Sequence, residues 1–561
     1  MHRFFGVAPR RGFGIHAALF AVALLLPRIA LAGMGIEDAR HLLGRTGFGA
    51  TVDEIRRYSA LSREQAVEQL LAGAKREASV LPPEWVGEPL PDMRALRDAS
   101  PEERRAFQER ETRRGFELRG WWLTEMVDTP SPLTERMTLF WHNHFTSSQQ
   151  KVRAVTLMYR QNALLRRHAL GNFAEMLHAA SKDGAMLVYL DAASNRRGQP
   201  NENFAREVME LFTLGEGNYG EQDIREAARA FTGWSIEPGT GEFLFRRMLH
   251  DEGEKTVLGR SGRFDGDAVL DILLAQPATA RFISTKLWRE FISPQPRGDA
   301  QTRELETIAD RFRSSGYEIR TALREVFHSR AFWAPENRGT LVKSPADLVA
   351  GSLRTLNVEF LDPLPFALVM AGLGQNLFAP PNVRGWPGGD AWINSSTLLA
   401  RRQFIERLLR SANAPRALVT DTQRALVEGA PRALVTAAPG VLVVGAGGVT
   451  ARDDLPRVRG LAALGPDGRE RLREALADIR FDSASWLQRT GDLPPRSLLV
   501  ALDPVSGEQA GVTPASAVGA TPESGMDRRI DFRVDPRFDS RIDPRQAALN
   551  ALLLDPVYQL K

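Results

Sequence analysis

From Ile36 to about Ala412, apolar side chains recur at spacings of three and four in segment after segment. That period commits the chain to helices packed on helices. It predicts helices over Gly35–Leu43, Thr51–Ala72, Pro101–Asp128, Leu133–Phe145, Val152–His168 and Asn172–Ala180. More follow over Asn203–Leu214, Glu221–Phe231, Asp265–Ala275, Thr279–Ile292, Thr302–Ser314, Ile319–His328, Pro345–Leu356, Pro363–Gly372 and Ser395–Ala412. Gly215 and Gly233 stand where helices should stop, because glycine enters the left-handed cap without a Cβ penalty. One small β-hairpin is expected, Glu242–Leu249 against Lys255–Gly259, since Phe243 and Phe245 alternate ahead of a turn at Asp251–Gly253. The expected fold is therefore mainly α, one large helical domain over residues 33–412.

Beyond Ala412 the composition changes. The heptamer Ala-Pro-Arg-Ala-Leu-Val-Thr occurs at 414–420 and again at 430–436, and Pro, Ser, Gly, Asp and Arg dominate residues 493–545. Residues 413–546 read as a low-complexity, partly disordered insertion, because such a segment has too few apolar groups to offset its ordering entropy. Residues 547–561 return to a helix-like apolar pattern and are expected to dock on the helical domain.

Residues 1–32 read as an export signal. A basic start leads through Arg10-Arg11-Gly12-Phe13 into the apolar stretch Ile15–Leu26, and Ala30-Leu31-Ala32 supplies a small-x-small cleavage site. The twin arginine before phenylalanine fits a twin-arginine route, and the apolar stretch is short for a membrane span. The expectation is an exported protein, periplasmic or extracellular, with no stable membrane span once the signal is removed. The four arginines of this segment account for the whole excess of 73 basic over 69 acidic side chains. A mature chain without net charge argues against nucleic acid as its partner. The chain has no cysteine, which excludes thiolate nucleophiles, iron–sulfur clusters and cysteine-bound zinc.

Chemistry is most concentrated in Asn201–Gly215. On a helical wheel Phe204, Val208, Leu211 and Phe212 form the buried stripe, and Asn203, Glu207 and Glu210 line its flank. Carboxylates at the edge of a core must find partners or shift their pKa. Glu207 and Glu210 are accordingly candidates for a paired acid and base, with an internal ion-pair network around Arg206 as the alternative. His250 and Asp251 are the other catalytic candidates, in the dense turn His250–Lys255 that could position a proton or bind an anion. The candidate binding residues are Asn201, Asn203, Arg206 and Lys255, with Arg384, Trp386, Trp392 and Asn394 from a Gly/Pro-built loop. Such a loop either presents aromatic faces or plugs the helical body. His142, His144 and Asp183 are the metal candidates, although histidines two apart on a continuous helix point roughly 200° apart and cannot share one ion. The glycines of Val441–Gly448 lack the third position of a dinucleotide turn, so no nucleotide cofactor is expected. Ser148-Gln149-Gln150-Lys151 lacks the companion elements of a serine acylase.

Several ordered blocks resemble the domain of unknown function 1800 family. They are Ala39–Gly49, Phe140–Phe145, Ala180–Asp183, Tyr189–Gly215, Glu226–Trp234, His250–Gly259, Gly339–Pro345 and Pro380–Asn394, with a return at Leu553–Leu560. The resemblance implies an exported, mostly helical protein, often encoded beside a member of the domain of unknown function 1501 family, which resembles sulfatases and phosphatases. It implies no assigned reaction and no cofactor. The expected function is an accessory or binding protein acting with such an exported partner. The alternatives are a hydrolase using the Glu/His/Asp site, with or without a metal, and a structural protein of the envelope.

Overall fold

The computed structural model describes residues 33–92, 95–358, 360, 362–413 and 556–561. The expected export signal, the expected insertion beyond Asn413 and residues 547–555 lie outside the described residues. The fold is mainly α, as the periodicity predicts, with two small two-stranded sheets. Among the described residues no helix is long and apolar enough to cross a membrane.

Helix ends follow their capping chemistry. Thr51–Ala72 is two helices, Val52–Ser59 and Arg63–Ala72, because Ser62 opens a second capping box with Gln65. Pro101–Asp128 runs unbroken for 28 residues from a Ser100/Glu103 capping box. The site is positioned by α1 (Gly35–Thr46), α2 (Pro132–His144), α3 (Glu202–Glu207), α4 (Pro277–Phe291) and α5 (Pro345–Thr355). Every residue of α5 from Pro345 to Arg354 is buried. Arg45, at the end of α1, donates to the carbonyls of Phe291 and Ile292 at 3.1 Å and of Asn337 at 2.6 Å. A buried cation thus closes the carbonyl end of α4, where the helix dipole favours it.

The expected hairpin is not formed. β1 (Trp234–Ile236) pairs with β2 (Phe243–Phe245), and β3 (Lys255–Val257) pairs with β4 (Arg260–Gly262), both antiparallel. Local turn chemistry decides this. Leu258 and Gly259 have φ of 49° and 75°, the two-residue turn whose twist suits adjoining strands. Trp234 and Phe243 pack edge to face at 5.2 Å across the other pair.

Two apolar clusters form the core, one around Trp141, Phe145, Phe173 and Phe212, the other around Trp122, Leu139, Leu353 and Phe378. Helix α2 feeds both, so it is their shared wall. It is pinned from beneath by Glu135 and Arg166, each 1% exposed, joined by two bonds of 2.5 and 2.8 Å. Trp122 donates to the same carboxylate at 2.9 Å, and Arg166 reaches Asn162 at 2.6 Å. Residues 556–561 form a 3₁₀ turn, Pro556–Gln559, after which Leu560 bridges Val342 and Lys561 exchanges backbone bonds with Leu341.

Candidate functional site

The Asn201–Gly215 run folds as expected at its start and departs from expectation at its end. Asn201 caps α3, accepting from the Asn203 amide. From Val208 to Thr213 the helix widens into π geometry, a form that recurs at functional sites. Thr213 Oγ1 donates to the Val208 carbonyl five residues back, at 2.7 Å. Last-turn carbonyls lack helical partners. Here those of Leu211 and Phe212 accept from Lys286 Nζ at 3.2 Å and from His144 Nε2 at 3.1 Å.

That arrangement settles the tautomer of His144. A carbonyl can only accept, so Nε2 carries the hydrogen and Nδ1 keeps its lone pair. Lys286 Nζ lies 2.9 Å from Nδ1 and donates to it. Burial and the neighbouring Lys286 hold the imidazole well below its usual range. Burial, reinforced by Arg289, brings the amine down to about 7. Two of its hydrogens are directed to His144 and Leu211, and the nitrogen also lies 4.7 Å from the centroid of the Phe282 ring. The side chain is half-buried and lines a cleft of about 450 Å³.

The cleft is bounded by the end of α2, the Lys286–Glu290 face of α4, the start of α5, the Arg384–Trp392 loop and Lys561. Its deepest charges offset one another. Arg136 pairs with Asp347 and, at 3.2 Å, with Glu290, while Lys561 Nζ stands 2.9 Å from Asp347 and 3.8 Å from Glu290. Asp347 is held far below the usual carboxylate range: the cations of Arg136 and Lys561 outweigh burial, which acts the other way. Lys286 and Arg289 have no such partner. Among the described residues neither forms an ion pair with a carboxylate, so the cleft wall carries uncompensated positive charge.

The loop is locked onto α2 by backbone contact. Gly385 has φ +89°, and a Cβ there would sit 2.2 Å from Asn143 Oδ1 and 2.7 Å from its carbonyl. The close approach lets the Trp386 amide donate to Asn143 Oδ1 at 2.6 Å. Trp386 and Trp392 are 4% and 5% exposed and belong to the second core cluster, so both indoles plug the body while their edges line the cleft. Arg384 bonds Glu210 and Glu216, each at 2.9 Å, and Tyr219 donates to Glu210 at 2.8 Å. Glu207, half-buried beside them, forms no hydrogen bond among the described residues, and burial followed by the charge of Glu210 raises its pKa. The structure thus brings Arg384, Trp386 and Trp392 to the cleft, and Arg384 ties Glu210 to that loop with Glu207 beside it.

The remaining sequence candidates stand elsewhere. Asn203 donates to the Leu190 carbonyl, Arg206 holds Glu221 through two 2.8 Å bonds, and Asn394 caps the helix Ser395–Asn413 through Thr397. His250 is buried with Nδ1 2.9 Å from the Thr232 carbonyl. Asp251 is bound by Arg229, which draws it down to about 2. Lys255 Nζ donates to the carbonyls of Asp251 and Gly253. Among the described residues no hydrogen bond or ion pair joins this turn to Glu207, Glu210 or the cleft.

The metal candidates are also separate from one another. Helix α2 continues through both histidines, and His142 faces Asn162 at 3.0 Å and the rings of Trp122 and Phe378. Asp183 caps the helix Gly184–Tyr189 and accepts from Met186 and Gln161, each at 3.0 Å. Among the described residues no group of three or more His, Asp or Glu side chains is placed to hold a metal ion. Burial pushes Asp183 up to about 7. The folded state therefore binds more protons than the unfolded chain between the usual carboxylate range and about pH 7, and Asp183 makes stability fall as pH rises through that window. Asp183→Asn keeps the cap acceptor and is expected to gain on the wild type by on the order of 3 kcal/mol between about pH 5 and about pH 8, read by urea unfolding at both. An unchanged difference between those pH values would show that Asp183 does not titrate there.

Sequence reasoning missed Asn143, Lys286, Arg289 and the Asp347 network. One signal was available: Arg289 and Glu290 follow Lys286 at three and four positions on α4, a polar stripe beside the apolar face.

Residues 41–488 match the family model described as a protein of unknown function (DUF1800). Comparison with curated proteins and with solved structures gives no match.

Proposed function

We propose that this chain, which belongs to the DUF1800 family of proteins of unknown function, is a binding protein whose cleft receives an anionic group: a carboxylate, a sulfate or a phosphate. The observation that carries this reading is Lys286, an amine facing a cleft of about 450 Å³ with carbonyl and imidazole neighbours and no carboxylate to neutralise it. Arg289 adds a second cation on the same wall. An arriving anion supplies the missing counter-charge and favours the ammonium form. Export, and action beside a sulfatase- or phosphatase-like partner, are part of the same proposal. A cleft for anionic esters suits such a partner.

Titration with inorganic phosphate and sulfate tests this. The anion is expected to raise the melting temperature, and more strongly near pH 6 than near pH 8, since lowering pH through about 7 charges Lys286. Lys286→Met should remove at least about 1.4 kcal/mol of binding, a tenfold loss. An anion shift identical in wild type and Lys286→Met would overturn the reading.

Glu207 favours a second reading, acid–base hydrolysis beside the Arg384 loop. A carboxyl without a hydrogen bond and with a raised pKa, beside a carboxylate held by Arg384 and Tyr219, is the division of roles that such chemistry uses. Turnover of phosphate or sulfate esters that Glu207→Gln abolishes would select it.

A further inference from the structure

We infer that Lys286 is a reactive amine that condenses with the carbonyl carbon of a small anionic aldehyde or ketone, a 2-oxo acid in chemical class, with His144 as its proton acceptor. This rests on the anion-binding reading above and adds to it the identity of the group beside the anion.

The argument is geometric. Amine nucleophiles in proteins work where the nitrogen is desolvated, near another cation and free of a carboxylate that would hold it protonated. Lys286 meets each condition. It is half-buried, one helical turn from Arg289, hydrogen-bonded to the Leu211 carbonyl at 3.2 Å and His144 Nδ1 at 2.9 Å, and otherwise faces the apolar Phe282 ring at 4.7 Å, with no carboxylate among these neighbours. The imidazole is fixed in the tautomer whose Nδ1 lone pair faces the amine, because the Phe212 carbonyl at 3.1 Å keeps the hydrogen on Nε2. The depressed proton affinity of the amine agrees with this geometry. A carboxylate beside the reacting carbonyl would find Arg289 on the same wall.

The step balances with these groups alone. The Nζ lone pair attacks the carbonyl carbon, the C–N bond forms, and the C=O π pair moves to oxygen. The hydrogen directed at His144 Nδ1 passes to it, and the imidazolium returns that proton to the alkoxide oxygen, which gives a carbinolamine. The nitrogen lone pair then forms C=N as the hydroxyl leaves, and the remaining hydrogen on that nitrogen goes with it as a proton to make water. The sum is amine plus carbonyl to imine plus water.

The test uses the full chain with glyoxylate and cyanoborohydride near neutral pH, with modified lysines mapped by peptide mass spectrometry. Lys286 is expected to be labelled at least about tenfold faster than the exposed Lys75, and inorganic phosphate should slow that labelling selectively. His144→Gln, if its melting curve matches the wild type, should slow labelling at Lys286 while phosphate still binds. Labelling of Lys286 no faster than Lys75, or preferred labelling of the half-buried Lys343, overturns the inference even where phosphate binds. Loss of both labelling and phosphate binding takes the anion-binding reading with it.

Discussion

Glu135→Leu is expected to cost about 3–5 kcal/mol of folding stability, because it strands the Arg166 guanidinium without a counter-charge in the core. Both side chains are 1% exposed and share two bonds, and the Trp122 indole would lose its acceptor as well. Unpairing a buried ion is expensive because neither water nor another anion can replace the partner. Replacing both residues removes that penalty. Glu135→Leu with Arg166→Met should recover most of the loss, as well-packed apolar side chains can stand in for a buried pair at similar volume. Urea unfolding of the two single variants and the double variant gives the coupling directly. A single-variant loss under about 1 kcal/mol would mean that water reaches the pair, and the account of α2 as a wall pinned from beneath would fail.

Gly385→Ala comes second in expected effect. A Cβ there meets Asn143 Oδ1 at 2.2 Å and the Asn143 carbonyl at 2.7 Å, and φ is +89°. The conformation alone costs about 1–2 kcal/mol for a residue with a Cβ, and forced overpacking adds about 1–3 kcal/mol. The loop cannot keep its Trp386-to-Asn143 bond at 2.6 Å under that clash. Arg384 and the cleft edges of Trp386 and Trp392 should then shift together, so the variant is expected to lose phosphate binding as well as stability. Gly388 in the same loop is the control. It has φ −117° and open space around its Cβ position, so Gly388→Ala should stay within about 0.5 kcal/mol. Equal effects of the two substitutions would show that general loop flexibility, not the contact with Asn143, governs the region.

The sequence made some elements legible because their causes are local. Apolar spacing along Pro101–Asp128 needs no distant partner to be read, and the helix runs over those same residues, whereas the break that the Ser62/Gln65 box makes within Thr51–Ala72 was passed over because the apolar spacing continues across it. The pairing of β3 with β4 escaped notice because strand partners are chosen by turn geometry, and the positive φ at Leu258 gives no sign in its side-chain type. The site was half legible. Glu210 stood out as a charge on the flank of an apolar stripe and Arg384 as the cation of a Gly/Pro-built loop, yet nothing near either residue announces that they meet at 2.9 Å across 174 positions. Lys286 was passed over because one lysine in an amphipathic helix ordinarily faces solvent.

Composition, periodicity and caps thus suffice for a mainly helical body and for the polar run at 201–215, since each is a property of neighbouring residues. The meaning of individual charges is of another kind. Asp251 is neutralised by Arg229, while Lys286 is left without a carboxylate. Whether a charge is paired, and whether it faces a cleft, depends on chain segments up to hundreds of residues apart. Only packing brings those segments within the few ångströms over which ion pairs and desolvation act.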